Sequence, residues 1–395
     1  MISHHRRHKA FSRSHAMAKS LILRRHKVTL VVISEHRRFG VKETEWDGVR
    51  IIETPDLLWG RLRSGWDFWN IINRIIFLNQ EKEHYDLVHC FETRPSTIYP
   101  ALCYLRRHKI PLITDWNDWF GRGGIITILR PKWYRILFGG IETHYEEAYR
   151  KRGAGITVIS TALAKRATSL GISEDKICLI SGGTHPDIFR MRTKEECRRR
   201  MNLPESIPIV CFSSGDSHID LGVIMAAVAN VAKKYPSVKL MITGNAGKKV
   251  FDEANEYGIG ENLYLTGFVP FEELTWYMGC ADMFVLPFPD TIYNMGRWPN
   301  KLGDYLCLGR PTITNPVGDV KTLFEENEIG LLADFDKDDF ASKMISIIEN
   351  PDIGARYGEN ARRIAENVLD WKIIVERLEN FYYRVMNHQD EVKCQ

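Results

Sequence analysis

Residues 294–320 read NMGRWPNKLGDYLCLGRPTITNPVGDV. Pro299-Asn300 opens a helix over 301–308, Gly309 ends it, and the run PTIT over 311–314 has the β-branched character of a buried strand. A short helix feeding into a strand that is apolar on both faces is half of a βαβ unit, and such units build parallel sheets. The same alternation extends outward. Strands are predicted at 209–213 (IVCFS), 239–243 (KLMIT), 263–266 (LYLT), 283–287 (MFVLP), 312–314 (TIT) and 330–333 (GLLA). An earlier series falls at 28–33 (VTLVVI), 49–52 (VRII), 87–90 (LVHC), 112–114 (LIT), 157–160 (TVIS) and 177–180 (ICLI). Two successive series predict an α/β chain of two Rossmann-like, doubly wound domains with parallel sheets, facing each other across a cleft. The boundary is expected within 183–208, which is charged, carries three prolines and lacks sustained apolar periodicity. A first helix over 11–24 follows only Met1-Ile2-Ser3, so the recorded start is expected to cut into the first, central strand.

With 395 residues, 44% apolar and 26% charged, the composition excludes a disordered or low-complexity scaffold, and the length excludes a single small binding module. The net charge of +4 hides two opposite halves: residues 1–200 balance to +15 and residues 201–395 to −11. Such asymmetry reads either as one half meeting an anionic surface, membrane or nucleic acid, or as two halves that are solvated differently. The eight cysteines are scattered without C-x-x-C or metal-ligand spacing and read as small buried apolar residues in a reducing compartment. Neither a membrane span nor a signal-peptide h-region stands out, so a cytoplasmic protein is expected. The cluster His4-His5-Arg6-Arg7-His8-Lys9 has no spaced partner for a metal, and no recognised nucleic-acid fold follows it. Gly244-Asn245-Ala246-Gly247-Lys248 lacks the spacing of a phosphate loop and reads as a surface turn.

Within 294–320, Lys301 and Asp304 lie three residues apart on one face at a helix N-terminus. That end offers unpaired N–H groups and a positive dipole, a seat for phosphate. The ammonium can neutralise a diphosphate, and the carboxylate can accept hydrogen bonds from vicinal hydroxyls. An exposed salt pair is the plain alternative for the two residues in isolation.

The surrounding pattern resembles the donor-binding segment of the family 4, GT-B-fold retaining glycosyltransferases. P-N-K-L-G-D-Y-L-C-L-G-R-P-T here is similar to that family's P-x-K-[LI]-x-E-Y-[LM]-A-x-G-x-P-V. TVISTALAKRATSLGISEDKICLISGGTHPDIF, LMITGNAG and LYLTGFVPFEELTWYMGCADMFVLPF resemble further family runs in the same order, so the likeness covers about residues 80–380. It implies an acceptor-binding domain over 1–190 and a nucleotide-sugar-binding domain over 191–395, with the terminal helix crossing back to the first. By position, Asp304 matches the ribose-binding carboxylate, Lys301 the basic residue at the donor phosphates, and Gly267, Phe268 and Val269 the loop that recognises the base. Gly244 ends a strand lining the same pocket, and Asn117-Asp118 fall where the family has His-Asp beside the transferred sugar. The sequence departs from the family at Gly296, where the first glutamate of E-x7-E would stand. Asn294 or Arg297 is the substitute expected there. It also departs at Asp216 and His218, in place of a basic pair, at Asn117 for histidine, and in lacking an N-terminal Gly-Gly loop.

The resemblance implies transfer of a sugar from a UDP- or GDP-linked donor, with retention and with no metal or other cofactor, to a glycan or lipid-linked acceptor in cell-surface polysaccharide or glycolipid synthesis. Lys301 and Arg297 would stabilise the departing diphosphate. Two stretches, 57–78 (LLWGRLRSGWDFWNIINRIIFL) and 125–138 (IITILRPKWYRILF), mix aromatics with cations. They read either as core-facing helices or as elements of an anionic membrane surface. In the latter case the first domain would face the membrane. Other readings are a catalytically weak or silent sugar-nucleotide-binding scaffold of the same fold, and a nucleotide-sugar 2-epimerase, whose own carboxylate and histidine set is not found.

Overall fold

The computed structural model describes residues 1–6, 13–57, 64–215 and 220–394. Internal packing divides the chain into two units. One comprises Met1–Ser181, Gly296–Trp298 and Trp371–Gln395; the other comprises Gly182–Met295 and Pro299–Asp370. The passage at Ser181 and Gly182 comes just ahead of the charged stretch 183–208, and the helix Trp371–Cys394 falls in the first unit.

The first unit is built on an eight-stranded sheet. Its strands are β1 (Ile2–Arg6), β2 (Thr29–Ile33), β3 (Lys42–Trp46), β4 (Val49–Thr54), β5 (Val88–Phe91), β6 (Leu112–Trp116), β7 (Gly155–Val158) and β8 (Ile177–Leu179). Their order is β3-β4-β2-β1-β5-β6-β7-β8. Every residue of β2, β5, β6 and β7 is buried, as expected where helices cover both faces of a parallel sheet.

Two expectations are corrected here. The first strand is not confined to Met1–Ser3: β1 runs to Arg6 and lies centrally, with Ile2 paired to Val31 and to Cys90. His4 and His5, which lack a spaced metal partner in the sequence, continue it. His4 is buried with Nδ1 3.3 Å from the Phe91 carbonyl oxygen, and burial pushes its imidazole well below the usual pKa. The sheet is also not wholly parallel, because β3 pairs antiparallel with β4. Its polar sequence KETEW carries no apolar run, yet Asp47 and Gly48, at φ 51° and 76°, make the left-handed two-residue turn that closes a hairpin.

The stretch 57–78 is described in part. Residues 58–63, with Trp59, Arg61 and Arg63, lie outside the described residues. Beyond them the helix Phe68–Gln80 is capped by Asp67, whose carboxylate accepts from the N–H groups of Trp69 and Asn70. Arg74 is fully buried and donates to Thr54 Oγ1 and to the carbonyl oxygens of Ser96 and Ser3. Trp66 packs edge-on to Tyr145, and Trp69 donates its indole N–H to the Arg38 carbonyl. These side chains tie the unit together, while Phe68, Ile72 and Ile76, four residues apart along the helix, are exposed.

The second unit holds six parallel strands: β9 (Ile209–Gly215), β10 (Lys239–Gly244), β11 (Leu263–Gly267), β12 (Met283–Leu286), β13 (Thr312–Thr314) and β14 (Gly330–Leu332). The order β11-β10-β9-β12-β13-β14 reverses direction between β9 and β12, the switch point beyond which open α/β sheets take ligands. Val210, Phe212, Leu240, Ile242, Val228 and Phe340 belong to one buried cluster, and each such side chain stabilises the unit by roughly 1.5–3 kcal/mol.

Candidate functional site

In the second unit Gly244 and Gly267 end β10 and β11, Phe268 and Val269 follow directly, and Lys301 packs on β9. Gly244 pairs with Gly215 on one side and Gly267 on the other, so three glycines end three adjacent strands abreast. Gly244 and Gly267 have φ of 96° and 67°, a left-handed turn that glycine adopts without a Cβ penalty. A Cβ at Gly267 would meet nothing within 4 Å, so the turn and not crowding accounts for the residue. Phe268 then stands exposed, with Val269 half-buried behind it.

The helix Asn300–Cys307 begins after Pro299, which supplies no side-chain cap to its first N–H groups. Its last residues are anchored: Tyr305 stacks on Phe284 of β12 at 4.1 Å, and its hydroxyl accepts from the Ser213 N–H of β9 at 2.9 Å. That anchoring places Lys301 Nζ 4.3 Å from the ring centroid of Phe212 on β9. Asp304 sits one turn on, half-buried, and desolvation pushes its carboxyl up to about 7 against the opposing pull of Lys301. Asn294 is not available in the same way. It is buried, and its side-chain amide donates to the Pro289 carbonyl within the turn that precedes this helix.

Because the Asp304 carboxyl titrates near neutrality, donor affinity should rise as pH increases through about 7, where the ionised form becomes able to accept two hydroxyl donors. The stability sign is opposite. A carboxyl raised above its unfolded value contributes stability that is present below about 4 and lost as pH rises through about 7. Asp304→Asn should therefore flatten the affinity profile measured by calorimetry while raising the melting temperature at pH 8. A wild-type profile in this variant would remove Asp304 from the donor seat.

In the first unit the charged residues cluster beyond β5 and β6. Asp115 at the end of β6 is fully buried and held by a bidentate Arg13, by the Thr157 hydroxyl at 2.5 Å and by nearby His89. Burial pushes its carboxyl up, but these partners more than offset that and keep it below the ordinary range. Glu92 after β5, at φ 66°, accepts from Arg150 Nη2 at 2.6 Å and from the Asn117 N–H at 3.0 Å, fixing the turn after β6. Asn117 Oδ1 is buried without a hydrogen-bond partner among the described residues. Asp118 follows, raised to about 6 by burial and pulled down by Arg297 and Arg94.

The expected residues thus fall in two groups. Gly244, Gly267, Phe268, Val269, Lys301 and Asp304 lie in the second unit, while Asn117, Asp118 and Arg297 lie in the first. Arg297, expected on the diphosphate beside Lys301, is assigned to the first unit and interacts with Asp118. Asp216 and His218 lie outside the described residues. Glu92, Arg94, Arg150 and Arg13 were missed by sequence reasoning; the signal for Glu92 and Arg94 was the pair of charges in Phe91-Glu92-Thr93-Arg94 at the end of an otherwise apolar strand. Among the described residues no group of three or more His, Cys, Asp or Glu is placed to hold a metal ion.

Two doubly wound units of this kind define the GT-B architecture. The structure matches sucrose-phosphate synthase from Thermosynechococcus elongatus with a TM-score of 0.72 at 16% identity, covering 94% of this chain and 92% of that one. It matches Anabaena HepE in complex with UDP at TM-score 0.66 and 13% identity, covering 93% and 94%. The family model "Glycosyltransferase Family 4" matches residues 13–188 and "Glycosyl transferases group 1" matches residues 208–350. The chain belongs to this family of group 1 glycosyltransferases. D-inositol 3-phosphate glycosyltransferase of Thermobispora bispora is 24% identical over 221 residues, 53% of this chain and 50% of that protein. The chain aligns with half or less of the length of the curated relatives it matches.

Proposed function

We propose that this chain transfers a sugar, with retention of configuration, from a UDP- or GDP-linked donor to a glycan or lipid-linked acceptor, in the synthesis of a cell-surface polysaccharide or glycolipid. The observation that carries the reading is the constellation in the second unit. Three strand-end glycines leave backbone open to a flat base, Lys301 supplies a cation for a diphosphate, and desolvated Asp304 is suited to the vicinal hydroxyls of a ribose. The solved complex of HepE with UDP lends support by its fold. Lys301 and the uncapped N–H groups at its helix N-terminus would stabilise charge developing on the departing nucleoside diphosphate. In the first unit, Asn117 and Asp118 would bind hydroxyls of the acceptor. Arg297 and Arg94 would favour the ionised form of Asp118.

This chemistry calls for no divalent metal, because the positive charge comes from the side chains named. A panel of UDP-, GDP- and ADP-sugars, read by nucleotide release and by the anomeric NMR signals of the product, tests the reading. Turnover of one donor with an unchanged anomeric configuration, persisting in EDTA, is expected. Donor binding without turnover under any acceptor would favour the silent scaffold, and conversion of the free donor to its 2-epimer would favour the epimerase.

A further inference from the structure

The helix Lys132–Ala148 is inside out. Its carboxylates face the protein: Glu142 and Glu146 are buried, and Glu146 accepts from the Trp116 indole N–H and from the backbone N–H groups of Phe120 and Gly121. Glu142 accepts from the Tyr134 hydroxyl at 2.5 Å. The Glu146 bonds, which reach outside the helix, fix its rotation, and the opposite face consists of Trp133, Ile136, Leu137 and Ile141, which are 60%, 73%, 63% and 47% exposed. Spacing of 3, 1 and 4 residues puts them on one stripe. Ile128 and Leu129 of the preceding helix Ile125–Leu129 extend it, each about half exposed. A water-facing stripe of large apolar side chains costs solubility unless something covers it.

The charge around the stripe has one sign. Residues 119–141 contain Arg122, Arg130, Lys132 and Arg135 and no acidic side chain. None of the four is in an ion pair with a described residue: Arg135 donates to the Thr127 carbonyl and Arg130 lies over the Tyr134 ring. Arg122, Lys132 and Arg135 also line a groove of about 420 Å³ floored by Ile126 and Ile136 and widened by Gly139 and Gly140. Cations at the rim of an apolar, Trp-bearing stripe complement a surface whose polar layer is anionic and whose interior is hydrocarbon.

We propose that these two helices dock the chain on an anionic lipid bilayer, with Trp133, Ile136, Leu137 and Ile141 entering the headgroup boundary. Lipid phosphates are held in the groove by Arg122, Lys132 and Arg135. This goes beyond the donor chemistry, and lipid binding is read without turnover, so either can fail alone. Of the two stretches, 125–138 brings its described cations to the apolar stripe, whereas Arg74 of 57–78 is internal.

Flotation of the full chain with vesicles of phosphatidylcholine, and of phosphatidylcholine with about one third phosphatidylglycerol, tests the proposal. Strong binding is expected only with the anionic vesicles, falling steeply in about 0.5 M salt. Each cation near such a surface strengthens binding by about fivefold, so Lys132→Glu with Arg135→Glu should weaken it by at least about twentyfold. Ile136→Ser with Leu137→Ser should also release the chain, while Ile72→Ser on the helix Phe68–Gln80 should not. Should a double variant unfold by circular dichroism, Trp133→Phe is the second probe: brominated lipids should quench wild-type indole fluorescence and lose most of that effect in the variant. Equal binding to both vesicles, or wild-type binding by the folded variants, would overturn the proposal. So would failure to float combined with a dimer that Ile136→Ser dissociates, because the stripe would then cover a second copy of the chain.

Discussion

Lys301→Ala should weaken binding of the nucleotide-sugar donor by about 10²–10³-fold, with a comparable loss in kcat/KM and little change in melting temperature. The size follows from what the ammonium does. Its Nζ lies 4.3 Å from the ring of Phe212, on the strand that Gly215 ends, and it is the cation at the start of a helix whose first N–H groups carry no side-chain cap. Removing it leaves the dipole alone to face two phosphates. The fold should tolerate the change because Tyr305, not Lys301, anchors the helix, through its stack on Phe284 and its bond from the Ser213 N–H. Losing the ammonium–ring contact costs about 0.5–1 kcal/mol. Lys301→Arg should recover part of the affinity. Calorimetric titration of donor into both variants checks this, and an alanine variant with wild-type affinity would place the diphosphate elsewhere.

Asp115→Ala should be the most damaging single change in the first unit. Arg13 and Asp115 are both buried and bidentate, and deleting the carboxylate strands a guanidinium whose remaining bonds go to the carbonyl oxygens of Ile180 and Ser181. Breaking one partner of a buried pair costs about 3–5 kcal/mol, which for a unit of this size lowers Tm by roughly 10 °C. Activity should fall as well, since the same strand end leads directly into Asn117-Asp118. The double change Arg13→Met with Asp115→Leu removes both charges and should regain much of the lost Tm. Differential scanning calorimetry of the three proteins is the check. Equal melting of Asp115→Ala and wild type would mean that the pair contributes nothing to the fold.

How much of this was legible in the sequence depends on how each residue's environment announces itself. Strands such as TLVVI and KLMIT are apolar on both faces, and the structure places them at the predicted positions to within a residue or two. β1 was half hidden because His4, His5 and Arg6 break the apolar run that marks a strand, although His4 is buried against Phe91. β3 was hidden because an edge strand next to a tight turn needs no apolar run; the Asp47-Gly48 pair was its signal. Arg74, Arg150 and Glu92 illustrate the harder case. A charge in sequence looks like surface, and only the assembled network of carbonyl and carboxylate partners explains why these are internal. The candidate donor residues stand out in the sequence for the opposite reason. Lys301, Asp304 and the glycines are set by local spacing at strand and helix ends, which survives without knowledge of distant packing. Glu142 and Glu146 combine both lessons: their inward orientation, invisible in the sequence, is what turns Trp133, Ile136 and Leu137 outward.

The most direct measurement is a structure of the full chain with UDP or GDP bound. The diphosphate is expected within hydrogen-bond reach of Lys301 Nζ, the ribose hydroxyls on the Asp304 carboxylate, and the base against the backbone of Gly244 and Gly267. A nucleotide bound away from these residues, with Lys301 and Asp304 untouched, would contradict the donor seat and with it the proposed transferase chemistry.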